Sequence, residues 1–85
     1  MIHAREDYNR IQDPLGLIPE DEPVFLIRGK DVLAPAALLS WCTFARRCGV
    51  SEEMIAVVEA WVVEIIKYQV KNGFKIPDMP SNTNL

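Results

Sequence analysis

Two basic residues that flank a glycine, Arg28-Gly29-Lys30, are the strongest candidate for a binding site in this sequence. Gly29 has no side chain, so backbone amides next to it could come close to a ligand. The segment leads into a helix predicted to begin near Ala34 or Pro35, and a helix N-terminus beside two cations is a favourable place for a phosphate. Arg-Gly-Lys-Asp is also an ordinary composition for an exposed turn, and both interpretations stay open.

Three further residues could complete an anion site. Arg46 and Arg47 would add positive charge, and Tyr8 would offer a face on which a base can stack. The sequence predicts a ligand-binding set of Tyr8, Arg28, Gly29, Lys30, Arg46 and Arg47, with a nucleotide second messenger as one ligand class. The pattern does not show that these residues meet in space.

The remaining reactive residues do not form a recognisable catalytic or metal site. The carboxylates of Pro-Glu-Asp-Glu, residues 19–22, are contiguous and favour a solvated turn over a paired acid and base. His3, Cys42 and Cys48 have no zinc spacing and no nucleophile-base arrangement. The two cysteines are six positions apart on a predicted helix and point in different directions, so we expect free thiols with at least one in the core. We expect no enzyme, no catalytic residue, no metal and no cofactor.

An antiparallel helical hairpin is the clearest structural prediction, and it spans residues 35–73. In the first helix, a single arc is formed by Ala37, Leu38, Trp41, Cys42, Phe44, Ala45 and Cys48. Gly49 is a natural left-handed terminator, Ser51 a natural N-cap, and Val50 and Ile55 occupy the positions of a hydrophobic staple. Because the turn is short, the two helices must be neighbours.

The second helix, predicted from about Glu52 to Asn72, is too apolar to pack against one neighbour alone. Its expected contact with the first helix is the stripe of Met54, Val58, Trp61, Ile65 and Tyr68. A second apolar set beside that stripe predicts a subunit interface formed by Glu59, Val62, Val63, Ile66 and Val70. Glu59 is either an exposed acid at the edge of the stripe or one half of a salt bridge between subunits.

The N-terminal third is less regular. Residues 4–12 predict a short helix with Tyr8 and Ile11 on its inner side, ended before Asp13-Pro14. The apolar run Val-Phe-Leu-Ile, residues 24–27, is typical of a strand, and three placements stay open. It pairs with residues 15–18 as a hairpin, lies extended across the helices, or pairs with its own copy in another subunit; each placement buries it against the hairpin.

Composition limits the classes of function. The chain has 85 residues, 49% hydrophobic, and a net charge of -3, which argues for one folded domain and against general nucleic-acid binding. The most apolar stretch contains two glutamates and is too short to span a bilayer, and no signal peptide is visible. These patterns predict a cytoplasmic protein without membrane contact. At this size folding is marginal, and oligomerisation would stabilise it.

The chain contains the segments DPLG, DEPVFLIRGKDVLAP and KIPDMP, with a predicted Trp-containing helical hairpin between the last two. Over residues 8–80 it resembles small accessory proteins of tailed phages and prophages. The resemblance implies a role in the host cytoplasm, often against host defences, by homo-oligomers that sequester cyclic nucleotide signals or by direct binding of a host protein. It brings no catalytic residues.

We therefore predict a mostly α protein with a minor β part. A short helix and an extended segment or small β-hairpin (residues 1–34) precede the helical hairpin (35–73), and a tail (74–85) follows. The expected function is non-enzymatic binding of an anionic small ligand by a homo-oligomer. The alternatives are a module that binds and inhibits a host or phage protein, and a minor structural phage protein.

Overall fold

The computed structural model describes residues 1–9 and 12–79, apart from the Tyr8 side chain. Its elements are β1 (Ile2–His3), a 3-10 turn (Glu6–Tyr8), β2 (Pro23–Val24), α1 (Ala34–Arg47) and α2 (Glu52–Asn72). The chain divides into an N-terminal unit, which contains residues 1–27, and a hairpin unit of residues 28–78. The predicted class, mostly α with a helical hairpin and a minor β part, is confirmed.

The turn between the helices has the predicted chemistry. Gly49 has a φ of 80°, and the amides of Gly49 and Val50 donate to the carbonyls of Arg46 and Ala45, which is the Schellman pattern that ends a helix. The Ser51 hydroxyl then accepts from the amide of Met54 at 3.2 Å and caps α2. Val50 packs against the cluster that contains Ile55, so the hydrophobic staple is also formed.

The helices pack through small and β-branched side chains. The central cluster consists of Cys42, Ala45 and Ile55, with Val50 and Val58 against it. Leu38 is half-buried, and Ala34, Val62 and Ile65 are buried. Both thiols are free, Cys42 buried and Cys48 exposed, as predicted.

The predicted contact stripes were only partly right. Val58 and Ile65 of the α2 stripe do turn inward, but Met54, Trp61 and Tyr68 are exposed. In α1, Ala37, Phe44, Cys48 and much of Trp41 of the predicted arc lie outside the core. The physical reason is the width of the apolar stripe. The stripe is much wider than the area that one neighbouring helix covers, so the sequence does not determine which residues form the contact line. Here the helices meet through aliphatic side chains and Cys42, and the aromatic side chains lie outside the contact.

In the N-terminal unit, one of the three predicted placements of the apolar run, the pairing with residues 15–18, was wrong. Ile2–His3 pairs in parallel with Pro23–Val24, and the amides of Ile2 and Ala4 donate to the carbonyls of Glu22 and Val24. Residues 15–18 are not a strand, because the Asp13 carboxylate accepts from the amides of Leu17 and Ile18 and holds a turn. Phe25 and Ile27 are exposed rather than buried.

The predicted N-terminal helix is shorter than expected. It is the single 3-10 turn of Glu6–Tyr8, and the inward position of Ile11 falls outside the described residues. Arg5 forms an ion pair with Asp7 across the start of this turn at 2.6 Å. Among the described residues, neither helix is long and apolar enough to cross a membrane.

Candidate functional site

The Arg28-Gly29-Lys30 segment is attached to the C-terminal half of α2. The side-chain amide of Gln69 donates to the main-chain carbonyls of Gly29 and Asp31, at 2.9 and 2.8 Å. The amide of Lys75, beyond the end of α2, donates to the carbonyl of Lys30 at 2.8 Å. The amide of Val32 donates to the carbonyl of Lys75 at 3.0 Å. Four hydrogen bonds therefore fix this backbone at the open end of the hairpin.

This attachment explains the extra length of α2. With 21 residues, α2 is roughly 10 Å longer than α1 with 14. The last turns of α2 pack on the segment that leads into α1. The helices are thus joined by the Schellman turn at one end and by the Gln69 and Lys75 bonds at the other.

Gly29 and Asp31 have structural roles that the sequence did not reveal. A Cβ placed on Gly29 would lie 3.9 Å from the Ile65 side chain, so Gly29 packs on α2. The Asp31 carboxylate accepts from the amide of Leu33 at 2.7 Å. It thus places a negative charge at the start of α1, where the predicted phosphate would have sat. A ligand at this end of the hairpin could therefore contact only the side chains of the Arg28-Gly29-Lys30 segment and those backbone amides that Asp31 does not occupy.

Lys30 is the side chain of this segment with the clearest binding potential. It is half-buried, and within residues 1–9 and 12–79 no ion pair is found for it. Lys75, whose backbone is bonded to Lys30, forms an exposed ion pair with Asp78 at 3.1 Å. A lysine whose backbone is already fixed can receive an anion with a smaller loss of conformational entropy.

Within one chain, Arg46 and Arg47 do not join this segment, so their predicted part in the ligand set stays a prediction. They lie in the last turn of α1, about 20 Å along the helix from Ala34, which follows the segment. Arg46 donates to Glu59 at 3.1 Å and lies 3.6 Å from Glu52. The hydrogen bond from Arg46 to Glu59, followed by the charge of Glu59, raises the pKa of Arg46 above its ordinary value. The Arg47 guanidinium lies 5.5 Å from the centre of the Phe44 ring.

Tyr8 belongs to the N-terminal unit, and its side chain lies outside the described part of the structure. Its predicted stacking role therefore stays a prediction. A cavity in the same unit, lined by His3, Arg5, Val24 and Leu26 among others, has a volume of about 10 Å³. That is room for one water molecule. No cluster of metal-ligating side chains occurs among the residues that the structure describes.

The predicted interface needs two corrections. Val62 is buried against α1 within the same chain, at 4% exposure, so it does not face a second subunit. Glu59 has its cation in its own chain, Arg46, because the two helices bring them together beside the contact line. The other three predicted residues, Val63, Ile66 and Val70, are exposed. With Leu39 of α1 they form what we call the aliphatic flank, on the side of the hairpin that carries the Arg46–Glu59 pair.

A second exposed surface lies on the other side of the hairpin and was not predicted. We call it the aromatic flank, and it consists of Trp41, Phe44, Met54, Trp61 and Tyr68, all exposed. On a helical projection of 100° per residue, the two flank residues of α1 lie on the side opposite Arg46. The three flank residues of α2 lie on the side opposite Glu59. The apolar spacing of these residues is visible in the sequence, but it was interpreted as the contact between the two helices.

Gln69 is the other residue that sequence reasoning missed. It follows the buried Val62 and Ile65 at spacings of seven and four residues, so it lies on the inward line of α2. A polar side chain on that line requires a hydrogen-bond partner. The two carbonyls that it binds come from a segment 40 and 38 positions earlier, so the partner was not evident from the local pattern.

Comparison of the chain with protein-family models, with curated proteins and with solved structures gave no match in any of the three.

Proposed function

We propose that this chain is a non-enzymatic, homo-oligomeric protein that binds a small anionic ligand of the nucleotide class through the segment that contains Arg28 and Lys30. The observation that carries the proposal is Lys30: a half-buried cation, with no ion pair among the described residues, on a backbone fixed by Gln69 and Lys75. A preorganised cation of this kind suits a phosphate group.

The attached backbone supports binding of a ligand at this segment. Hydrogen bonds from Gln69 of α2 hold Gly29 and Asp31, and one from the Lys75 amide holds Lys30, before any ligand arrives, so binding would require little rearrangement. Arg28 is the second cation that we propose for the ligand. In a homo-oligomer the same segment is repeated in every subunit, and a protein of this kind would act by sequestering a nucleotide signal.

Isothermal titration calorimetry and thermal unfolding with a panel of cyclic dinucleotides, cyclic trinucleotides and cyclic ADP-ribose isomers test the proposal. At least one member should bind the wild-type chain and raise its Tm, and Lys30→Gln should reduce the affinity at least tenfold. Lys67→Gln is the matched control, because Lys67 is an exposed lysine of α2 that pairs only loosely with Glu64, at 3.5 Å. Absence of binding across the panel, or equal losses in both variants, would contradict it.

The alternative function, a module that binds another protein, is favoured by the exposed apolar flanks of the hairpin. Aromatic residues and methionine on a rigid helical surface are typical of protein interfaces. A photo-crosslinking amino acid at position 61, compared with one at position 67, would test it in cells that express the chain. A specific adduct with a different protein at position 61, without an adduct between two copies, would support this alternative.

A further inference from the structure

We infer that the aromatic flank is the surface through which two copies of this chain associate; the inference rests on the homo-oligomeric part of the proposed function. The flank contains all four aromatic side chains of the two helices, namely Trp41, Phe44, Trp61 and Tyr68, with Met54 among them. None of them belongs to the buried core of the hairpin, which consists of Ala34, Cys42, Ala45, Ile55, Val62 and Ile65. The largest apolar side chains of the helices therefore lie outside that core.

The exposed area of the flank is close to what one side of a stable dimer needs. Trp61 and Phe44 are 63% and 60% exposed, and Tyr68 and Trp41 are 47% and 41% exposed. At 150–250 Å² for a whole aromatic side chain, these fractions leave roughly 450 Å² in water. Met54 and the nearby Val57, 47% and 62% exposed, bring the apolar area to about 600 Å². A standard interface buries about 800 Å² on each partner, of which somewhat more than half is apolar.

The charge pattern distinguishes the two flanks. On the helical projection, the sectors that carry the aromatic flank contain no carboxylate or ammonium group. Arg47 reaches Phe44 from the rim, at 5.5 Å from the ring centre. The aliphatic flank carries the ion pairs of Arg46 with Glu59 and Glu52. Two aromatic flanks can therefore meet without burying a charge, which favours contact between identical surfaces in a chain of net charge -3.

A second copy explains the pattern better than an occasional partner. The buried core among the described residues consists of six side chains, none of them aromatic, and a domain of this size has little stability in reserve. Burying the four aromatic side chains would supply the missing apolar contact. A second copy is available wherever the chain is made, so folding and association can occur together.

The geometry is that of a two-fold symmetric pair of hairpins. Both helices contribute to the flank, two residues from α1 and three from α2, so the surface runs along the hairpin rather than at its tip. Two such surfaces in contact would form a four-helix arrangement. Across its two-fold axis, each flank residue of one copy would face the same residue, or an adjacent flank residue, of the other copy. The Arg28–Lys30 segment lies outside this flank, at the open end of the hairpin.

Mass in solution, measured by light scattering and native mass spectrometry, tests the inference with two matched variants of α2. The wild-type chain should have a mass of at least twice 9.6 kDa. Trp61→Glu should weaken association at least tenfold, and Val70→Glu, at the most exposed position of the aliphatic flank, should leave the mass unchanged. Circular dichroism checks that both variants are folded.

If Trp61→Glu fails to fold, crosslinking through a photoreactive amino acid at position 61 decides the question. Isotopically light and heavy chains, otherwise wild-type, are mixed, and adducts of mixed mass show contact between copies. A monomeric wild-type chain would overturn the inference, as would a dimer that Val70→Glu disrupts and Trp61→Glu does not. A monomer that still binds a cyclic nucleotide through Lys30 would overturn the interface alone. A dimer that binds no ligand in the panel would overturn the ligand proposal alone.

Discussion

Gln69 and Gly29, 40 positions apart in the sequence, are joined by a hydrogen bond of 2.9 Å from the Gln69 side-chain amide to the Gly29 carbonyl. The same amide group also donates to the Asp31 carbonyl. One side chain thus holds the proposed ligand segment on α2.

Gln69→Ala should destabilise the protein, because it leaves two partly buried carbonyls without their donor. The expected loss is about 1–2 kcal/mol in the free energy of unfolding, measured by urea denaturation at fixed protein concentration. Asn72→Ala is the control: Asn72 donates to the Tyr68 carbonyl of its own helix at an exposed position, so its loss should be within about 0.5 kcal/mol. Equal effects of the two changes would show that Gln69 has no special role.

Gly49→Ala should cost about 1–2 kcal/mol, because Gly49 has a φ of 80°, where a Cβ is disfavoured. Gly29→Ala is the natural comparison. Its Cβ would meet Ile65 at 3.9 Å, an ordinary van der Waals distance, and its φ is not positive. Thermal unfolding should therefore show a clear decrease in Tm for the first variant and little change for the second; a larger decrease for Gly29→Ala would contradict this account.

Ser51→Ala should lower the free energy of unfolding by about 1 kcal/mol. The Ser51 hydroxyl accepts from the Met54 amide at the first turn of α2, and alanine cannot replace that bond. Ser40→Ala, on the exposed side of α1, should be neutral or slightly stabilising because alanine has the higher helix propensity. Chemical denaturation of the two variants side by side measures the difference.

Glu59→Gln should reduce the Tm slightly at low salt and have almost no effect at about 1 M salt, where charges are strongly screened. Arg46 and Glu59 are both about half-exposed, so their attraction is weak and sensitive to ions. The raised pKa of Arg46 means that folding favours its protonated form. Its contribution is therefore complete at neutral pH and is lost only as the pH rises through the pKa of Arg46 in the folded protein. A salt-independent loss of stability would indicate that Glu59 acts through packing instead.

The helical hairpin could be predicted because its signals are local. Gly49, Val50, Ser51 and Ile55 lie close together in the sequence, and each has a stereochemical preference that favours one arrangement. The contact line between the helices could not be predicted with the same success. Val62 and Trp61 are adjacent and both apolar, yet one is buried and the other exposed, and only the packing of α1 decides between them.

The proposed site shows the same limit. Arg28 and Lys30 could be identified from their types, but the groups that hold them, Gln69 and Lys75, are distant in sequence. The Asp31 carboxylate at the start of α1 could have been suspected, since acids are favoured at helix N-termini. The parallel pairing of β1 with β2 had no local signal, because each strand has two residues.

The short connection between α1 and α2 has a consequence for the order of folding. Residues 48–51 are the only ones between the helices, so the hairpin contacts nearest this turn, such as the bond from the Val50 amide to the Ala45 carbonyl, are local in sequence and should form early and fast. The pairing of Ile2 with Pro23 must instead close a loop of about twenty residues, at a greater entropic cost. In stopped-flow refolding, helical circular dichroism should therefore recover before amide protection appears in β1, and the hairpin would be the first part of the chain able to meet its partner.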